Sequence, residues 1–121
     1  MNYHELDVYK RAYKLAIEIH KFTLTLPKEL QFDLGDQIRR ASRSIPSNIA
    51  EGLGKNLSEK DKLKFLSISL GSNDEIIFNL NFLKDVSLIS PDKFEYYFGE
   101  YTICGKQLNR LIASINSMNT R

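Results

Sequence analysis

The sequence predicts an all-α fold, an antiparallel up-down four-helix bundle occupying residues 1–121 as a single domain. Three observations carry that prediction. Apolar residues recur at steps of three and four, glycine, proline and serine punctuate the chain where four segments would join, and no stretch alternates in the β manner. A chain of 121 residues can bury one core and is too short for two.

The first helix is expected from about Glu5 to Leu24, ending ahead of Pro27, which restricts the residue before it. Its core row is Val8, Ala12, Leu15, Ile19 and Phe22. The second is expected from Glu29 to Leu53, stopped by Gly52 and Gly54, with Leu34, Ile38, Ala41, Ile45 and Ile49 inward. Ser58 is a natural N-cap for the third, with Asp61 completing a variant of the capping box. That helix should reach about Val86 on a row of Leu63, Leu66, Leu70, Ile77 and Leu80, interrupted by Asn73. Ser90 caps the fourth, Pro91 takes its favoured first position and Asp92 complements the dipole. Its row is Tyr97, Tyr101, Cys104, Leu108, Leu111 and Ile115. Short connections make sequential helices antiparallel neighbours.

Composition excludes several classes. No apolar run approaches the roughly 18 residues of a membrane span, and the N-terminus lacks the blocks of a signal peptide. The lone Cys104 excludes an internal disulfide and fits a reducing cytoplasm; its place in a core row makes packing its expected role. A di-iron bundle needs Glu-x-x-His pairs, and neither His4 nor His20 lies in one. No histidine follows an arginine at the spacing of helical-bundle ribonucleases, and no nucleophile has an adjacent base. The expectation is a protein that is not an enzyme and carries no metal or cofactor.

Charge is unevenly spread. Residues 1–28 carry five basic and three acidic groups, residues 101–121 carry three basic and none acidic, and residues 74–100 carry two basic against six acidic. One basic region facing an anionic partner and a solvated mixed-charge surface both satisfy these counts.

The apolar surface exceeds what one bundle needs. At about 100° per residue, Leu6, Tyr9, Tyr13, Ala16, Ile17 and His20 fall on a second side of the first helix, leaving a polar strip that includes Lys10, Lys14 and Lys21. On the third helix Phe65, Ile76 and Leu83 lie off the Leu70 row, and Phe78 and Phe82 point another way. Either a corner helix touches two neighbours, or these residues form an oligomer interface, for which Leu6, Tyr9, Tyr13, Ile17, His20, Phe65, Phe78 and Phe82 are the candidates.

The most informative segment runs from Gln37 to Gly52. It places Pro46 inside a helix, where the missing N–H usually bends the axis. Gln37, Arg40, Ser44, Asn48 and Glu51 form a polar stripe beside the isoleucine row. Gln37, Ser44, Asn48 and Glu51 suit a hydrogen-bonded seam between helices. Arg39, Arg40 and Arg43 sit within five residues, with no acid closer than Asp36. Guanidinium groups suit bidentate phosphate contacts; a solvated face is the alternative.

This segment carries a resemblance. Gln37-Ile38-Arg39-Arg40-Ala41 followed by Ser44-Ile45-Pro46-Ser47-Asn48-Ile49-Ala50-Glu51-Gly52 resembles the small four-helix-bundle proteins encoded in intervening sequences of bacterial 23S ribosomal RNA genes. Those are similar to the accessory variability proteins of diversity-generating retroelements. Phe65-Leu66-Ser67-Ile68-Ser69, Gly71-Ser72 with Glu75, Tyr9-Lys10-Arg11-Ala12 and Leu26-Pro27-Lys28-Glu29 fit as well, so the likeness spans most of the chain. Ser69 stands where the family usually has alanine, and Asn73 where leucine is common. The resemblance implies a homopentamer with a basic surface around a central channel, nucleic-acid binding and, in the retroelement branch, partnership with a reverse transcriptase.

Two functions are therefore expected. In the first, a non-enzymatic oligomer binds structured RNA through Arg39, Arg40, Arg43 and Lys55, with Lys10, Lys14 and Lys21 as weaker contributors. In the second, the oligomer is a structural adaptor for a protein partner such as a reverse transcriptase, and the arginines serve subunit contacts.

Overall fold

The structure is a computed structural model that describes the backbone of residues 2–119 and the side chains of residues 2–117. Arg121, counted above among the basic residues of the chain end, lies outside the described residues. Four long helices and one short one make up the fold: α1 (Asp7–Thr23), the single turn α2 (Lys28–Gln31), α3 (Leu34–Leu53), α4 (Glu59–Asp85) and α5 (Pro91–Asn119). A 3-10 turn, Tyr3–Glu5, precedes α1. Among the described residues there is no strand.

The helix ends form where local chemistry dictates. Ser58 Oγ accepts the Asp61 N–H at 3.2 Å, and Ser90 Oγ accepts the Lys93 N–H at 3.2 Å, so each hydroxyl satisfies a donor the first turn leaves free. At the end of α4 the chain reverses through Ser87, whose φ of 61° lies in the left-handed region. The Leu88 N–H reaches back to the Leu83 carbonyl at 2.8 Å, closing a Schellman-type end with serine in the place glycine normally takes. Left-handed backbone costs a residue bearing Cβ about 1–2 kcal/mol. Ser87→Gly is therefore expected to stabilise the protein by about 0.5–1 kcal/mol, read as a higher urea midpoint.

One expected helix is in fact two. The segment predicted from Glu29 to Leu53 breaks after α2, where Asp33 adopts φ −114°, ψ −86°. Side chains hold the break in place. The Gln31 amide donates to the carbonyls of Leu24 (3.0 Å) and Leu26 (2.8 Å), and the Arg39 guanidinium donates to the Gln31 carbonyl at 2.7 Å. Beyond it, α3 continues unbroken through the buried Pro46.

The core collects the predicted rows of α1, α3 and α5, with Leu15, Ile19, Ile45, Ile49, Tyr101 and Leu108 fully buried. The row of α4 differs from expectation. Leu66, Ser69, Asn73, Ile76, Leu80 and Leu83 face inward, while Leu63, Leu70 and Ile77 are only half-buried. Ile76 and Leu83, expected on a second face, are therefore core residues. Two polar groups occupy this row because each finds an acceptor on a neighbouring backbone. Ser69 Oγ donates to the Ile45 carbonyl at 2.8 Å, and Asn73 Nδ2 to the Tyr101 carbonyl at 3.0 Å.

Sequential long helices pack side by side, and α1 also meets α5. Following α3 from Ser44 to Gly52, the facing residues on α4 pass from Ser72 back to Phe65. Gly52 lets α4 come close, since an added Cβ would sit 3.0 Å from Phe65 Cβ and α4 would have to give by a few tenths of an ångström.

Candidate functional site

The most distinctive surface is a groove of about 430 Å³ between α1 and α3. Its depth comes from small side chains. Ala16 on α1, with Ser42, Pro46 and Ala50 at four-residue steps on α3, leave space that Tyr9, Tyr13 and Ile17 wall on one side and Arg39 and Arg43 on the other. Pro46 adds a polar feature: lacking an N–H, it leaves the Ser42 carbonyl without its helical donor. His20 and Ser47 complete the lining, which contains no carboxylate.

The three arginines of α3 have different surroundings. Arg39 turns inward, its Nη1 donating to Thr23 Oγ1 at 2.8 Å and its Nη2 to the Gln31 carbonyl at 2.7 Å. One guanidinium thus ties the end of α1 and the α2 turn to α3. Arg40 pairs with Asp36 at 3.0 Å, although its side chain stays 74% exposed. Arg43 is exposed and, among the described residues, has no carboxylate within ion-pair distance. The sequence placed three arginines together; the structure leaves Arg43 as the one with its fork wholly uncommitted.

The lysines vary likewise. Lys55 pairs with Glu51 at 3.0 Å and Lys14 with Glu18 at 3.8 Å, both one helical turn apart. Lys10 and Lys21 are exposed on the polar strip of α1. On the same strip Arg11 bridges to α5, binding Glu100 at 2.7 Å and donating to Gln107 Oε1 at 3.3 Å. That bridge was not legible, because its partners lie about 90 residues downstream.

The polar stripe makes hydrogen bonds at its centre. Asn48 Nδ2 donates to the Ser44 carbonyl (2.8 Å) and Ser44 Oγ (3.0 Å), and Ser72 of α4 donates to Ser44 Oγ at 2.8 Å. Gln37 and Glu51 lie outside that seam, Gln37 on Asp33 at 3.3 Å and Glu51 on Lys55.

The candidate interface residues divide. Tyr13 and Ile17 are 53% and 46% exposed along the groove, with His20 beside them. Phe78 and Phe82 are 69% and 45% exposed on the outside of α4. Leu6 and Tyr9 are half-buried against the core, Tyr9 within an aromatic cluster with Tyr3 (5.0 Å between centroids) and His4 (5.6 Å). Phe65 is half-buried in the α3–α4 seam beside Gly52. Of the groove floor, periodicity marks only Ala16 on the second face of α1; the α3 part was missed, though the spacing of Ser42, Pro46 and Ala50 was its available signal. Cys104 is buried, and burial pushes its thiol up to about 12.

What the fold and this face define is a small all-helical bundle protein with a cationic, aromatic-walled groove. The chain belongs to the family described as 23S rRNA-intervening sequence protein, whose pattern matches residues 4–110. It is similar to a crystal structure of a protein with unknown function from the S23 ribosomal protein family of Bacteroides thetaiotaomicron VPI-5482. The two are 26% identical, with a TM-score of 0.80 over 88% of this chain and 95% of that one. No curated protein matches the chain. Among the described residues, no helix is long and apolar enough to cross a membrane.

Proposed function

We propose that the chain is a non-enzymatic, single-domain cytoplasmic subunit of a homo-oligomer that binds structured nucleic acid, RNA above all, through the cations beside the α1–α3 groove. The opposed register of contacting helices supports an antiparallel up-down bundle, and the family resemblance supports a pentamer. The observation that carries the binding reading is Arg43, a guanidinium exposed beside the groove with no carboxylate within ion-pair distance among the described residues. Arg40, Lys14 and Lys55 can join it, since solvent-exposed pairs one turn apart contribute only about 0.3–0.5 kcal/mol and exchange readily for phosphate. Lys10 and Lys21 extend the surface along α1.

Affinity of this kind comes from counterion release and weakens with salt. Reversing both Arg40→Glu and Arg43→Glu should lower affinity for a structured ribosomal RNA fragment at least tenfold at low salt. The slope of log K against log salt should flatten by about 1–2, as expected for two lost phosphate contacts. Gel retardation across a salt series checks both; an unchanged slope removes these residues from the binding surface. The second reading, an adaptor for a protein such as a reverse transcriptase, draws on the exposed apolar residues Tyr13, Ile17, Phe78 and Phe82. Absence of RNA retardation at any salt, with a protein partner retained, would favour it.

A further inference from the structure

The homo-oligomer reading leaves open which surfaces meet, and two features of this one chain are complementary. On the outside of α4, Phe78 and Phe82 stand one turn apart, about 200° around the helix from the core residues Ile76 and Leu80. Glu75 and Asp85, both exposed, continue the same stripe at steps of three on either side, and exposed Asp74 flanks it. This is an aromatic ridge with acidic ends. The α1–α3 groove is the converse: an apolar floor of small residues, two guanidinium groups in its lining and no carboxylate.

We infer that the α4 ridge of one copy seats in the α1–α3 groove of the next, a head-to-tail contact that rests on the homo-oligomer reading above. The register matches. The groove floor is cut by Ser42, Pro46 and Ala50 at four-residue steps, and the ridge is raised by Phe78 and Phe82 at the same step. That is the geometry of four-residue ridges packing into four-residue grooves. Two exposed phenylalanines would bury against Tyr13 and Ile17, leaving the charges at the rim, where opposite fields orient the copies and the cations stay open to solvent. Ridge and groove lie on different elements, so the contact is heterologous: each copy gives a ridge to one neighbour and a groove to another, and a rotation that closes yields a ring. A self-complementary pairing of two ridges is disfavoured because it would juxtapose Glu75 and Asp85 with their own kind.

Two variants and their mixture test this. Phe78→Glu with Phe82→Glu removes the ridge, and Ile17→Glu places a carboxylate in the groove; all three side chains are exposed, so both variants should keep the wild-type circular dichroism spectrum. Native mass spectrometry without RNA should show the wild type as an oligomer and each variant alone at the mass of one chain. Mixing the two should restore a dimer containing one copy of each, since an intact groove then meets an intact ridge. A wild type at one-chain mass would overturn the oligomer reading itself. A wild-type oligomer that survives either variant would overturn only this assignment, as would variants that fail to pair when mixed. Should Ile17→Glu melt below wild type, Ile17→Lys is the second probe, since it keeps the groove cationic yet fills the seat of the ridge; an oligomer formed by a stably folded Ile17→Lys likewise overturns the contact.

Discussion

Replacing Arg39 by alanine is expected to destabilise the protein by about 2–3 kcal/mol, the effect of losing hydrogen bonds from a charged donor to two separate elements. Nη1 holds Thr23 at the end of α1, and Nη2 holds the Gln31 carbonyl of the α2 turn. Without the guanidinium, the break between α2 and α3 loses the donor that caps it from the α3 side, and the α1–α3 junction loosens. Arg39→Lys should recover only part of the loss, because one ammonium on a flexible stem does not reproduce a planar fork reaching two acceptors. Arg43→Ala is the matched control and should stay within about 0.5 kcal/mol of wild type, since Arg43 is exposed and forms no ion pair among the described residues. Urea denaturation of the three variants measures the set. Equal losses at positions 39 and 43 would contradict this division of labour between the two arginines. It also follows that reversing Arg39 would disturb folding before it disturbed RNA binding, whereas Arg40 and Arg43 can be reversed without breaking the α1–α3 tie.

The second large effect has the opposite sign. Asn73 is buried in the centre of α4 with Nδ2 bonded to the Tyr101 carbonyl, yet its buried Oδ1 meets no hydrogen-bond donor among the described residues. A buried acceptor left unpaired costs about 1–3 kcal/mol, while an apolar group of the same shape avoids that cost. Asn73→Leu should therefore raise stability by about 1–2 kcal/mol, moving the thermal midpoint up by roughly 4 °C per kcal/mol for a domain of this size. Shape limits the gain, because Asn73 Nδ2 already lies 3.0 Å from where a Cβ on Gly105 would be. A fall in the midpoint would mean that the amide's bond to Tyr101 outweighs its stranded oxygen.

What could be read in advance follows the range of each interaction. Ser58 and Ser90 were legible as caps because a hydroxyl and the amide three residues on are local partners. The break at Asp33 was not, since the Arg39–Gln31 bond that secures it spans eight residues and depends on how α1 is placed. The α4 row was misread for a related reason. Ser69 and Asn73 look like surface residues until the carbonyls of Ile45 and Tyr101 are brought against them. At the candidate site, Tyr13, Ile17, His20, Phe78 and Phe82 were legible as surplus apolar surface, because periodicity counts faces. It does not say which members of a second face the core will absorb, and Leu6, Tyr9 and Phe65 were partly absorbed. Arginine clustering was equally visible, but its division into an internal tie, a surface pair and a free fork required Thr23 and Asp36 in place.

The buried thiol of Cys104 gives the outer surface a chemical silence. It is the chain's one cysteine, shielded in the core and held protonated at neutral pH, so the folded exterior presents no native thiol. A cysteine introduced beside the groove or on the α4 ridge would thus be the sole labelling point for a fluorophore or cross-linker, with no need to delete the native residue. The same thiol becomes modifiable when the core opens, so its rate of capture by a thiol reagent clocks global unfolding from within.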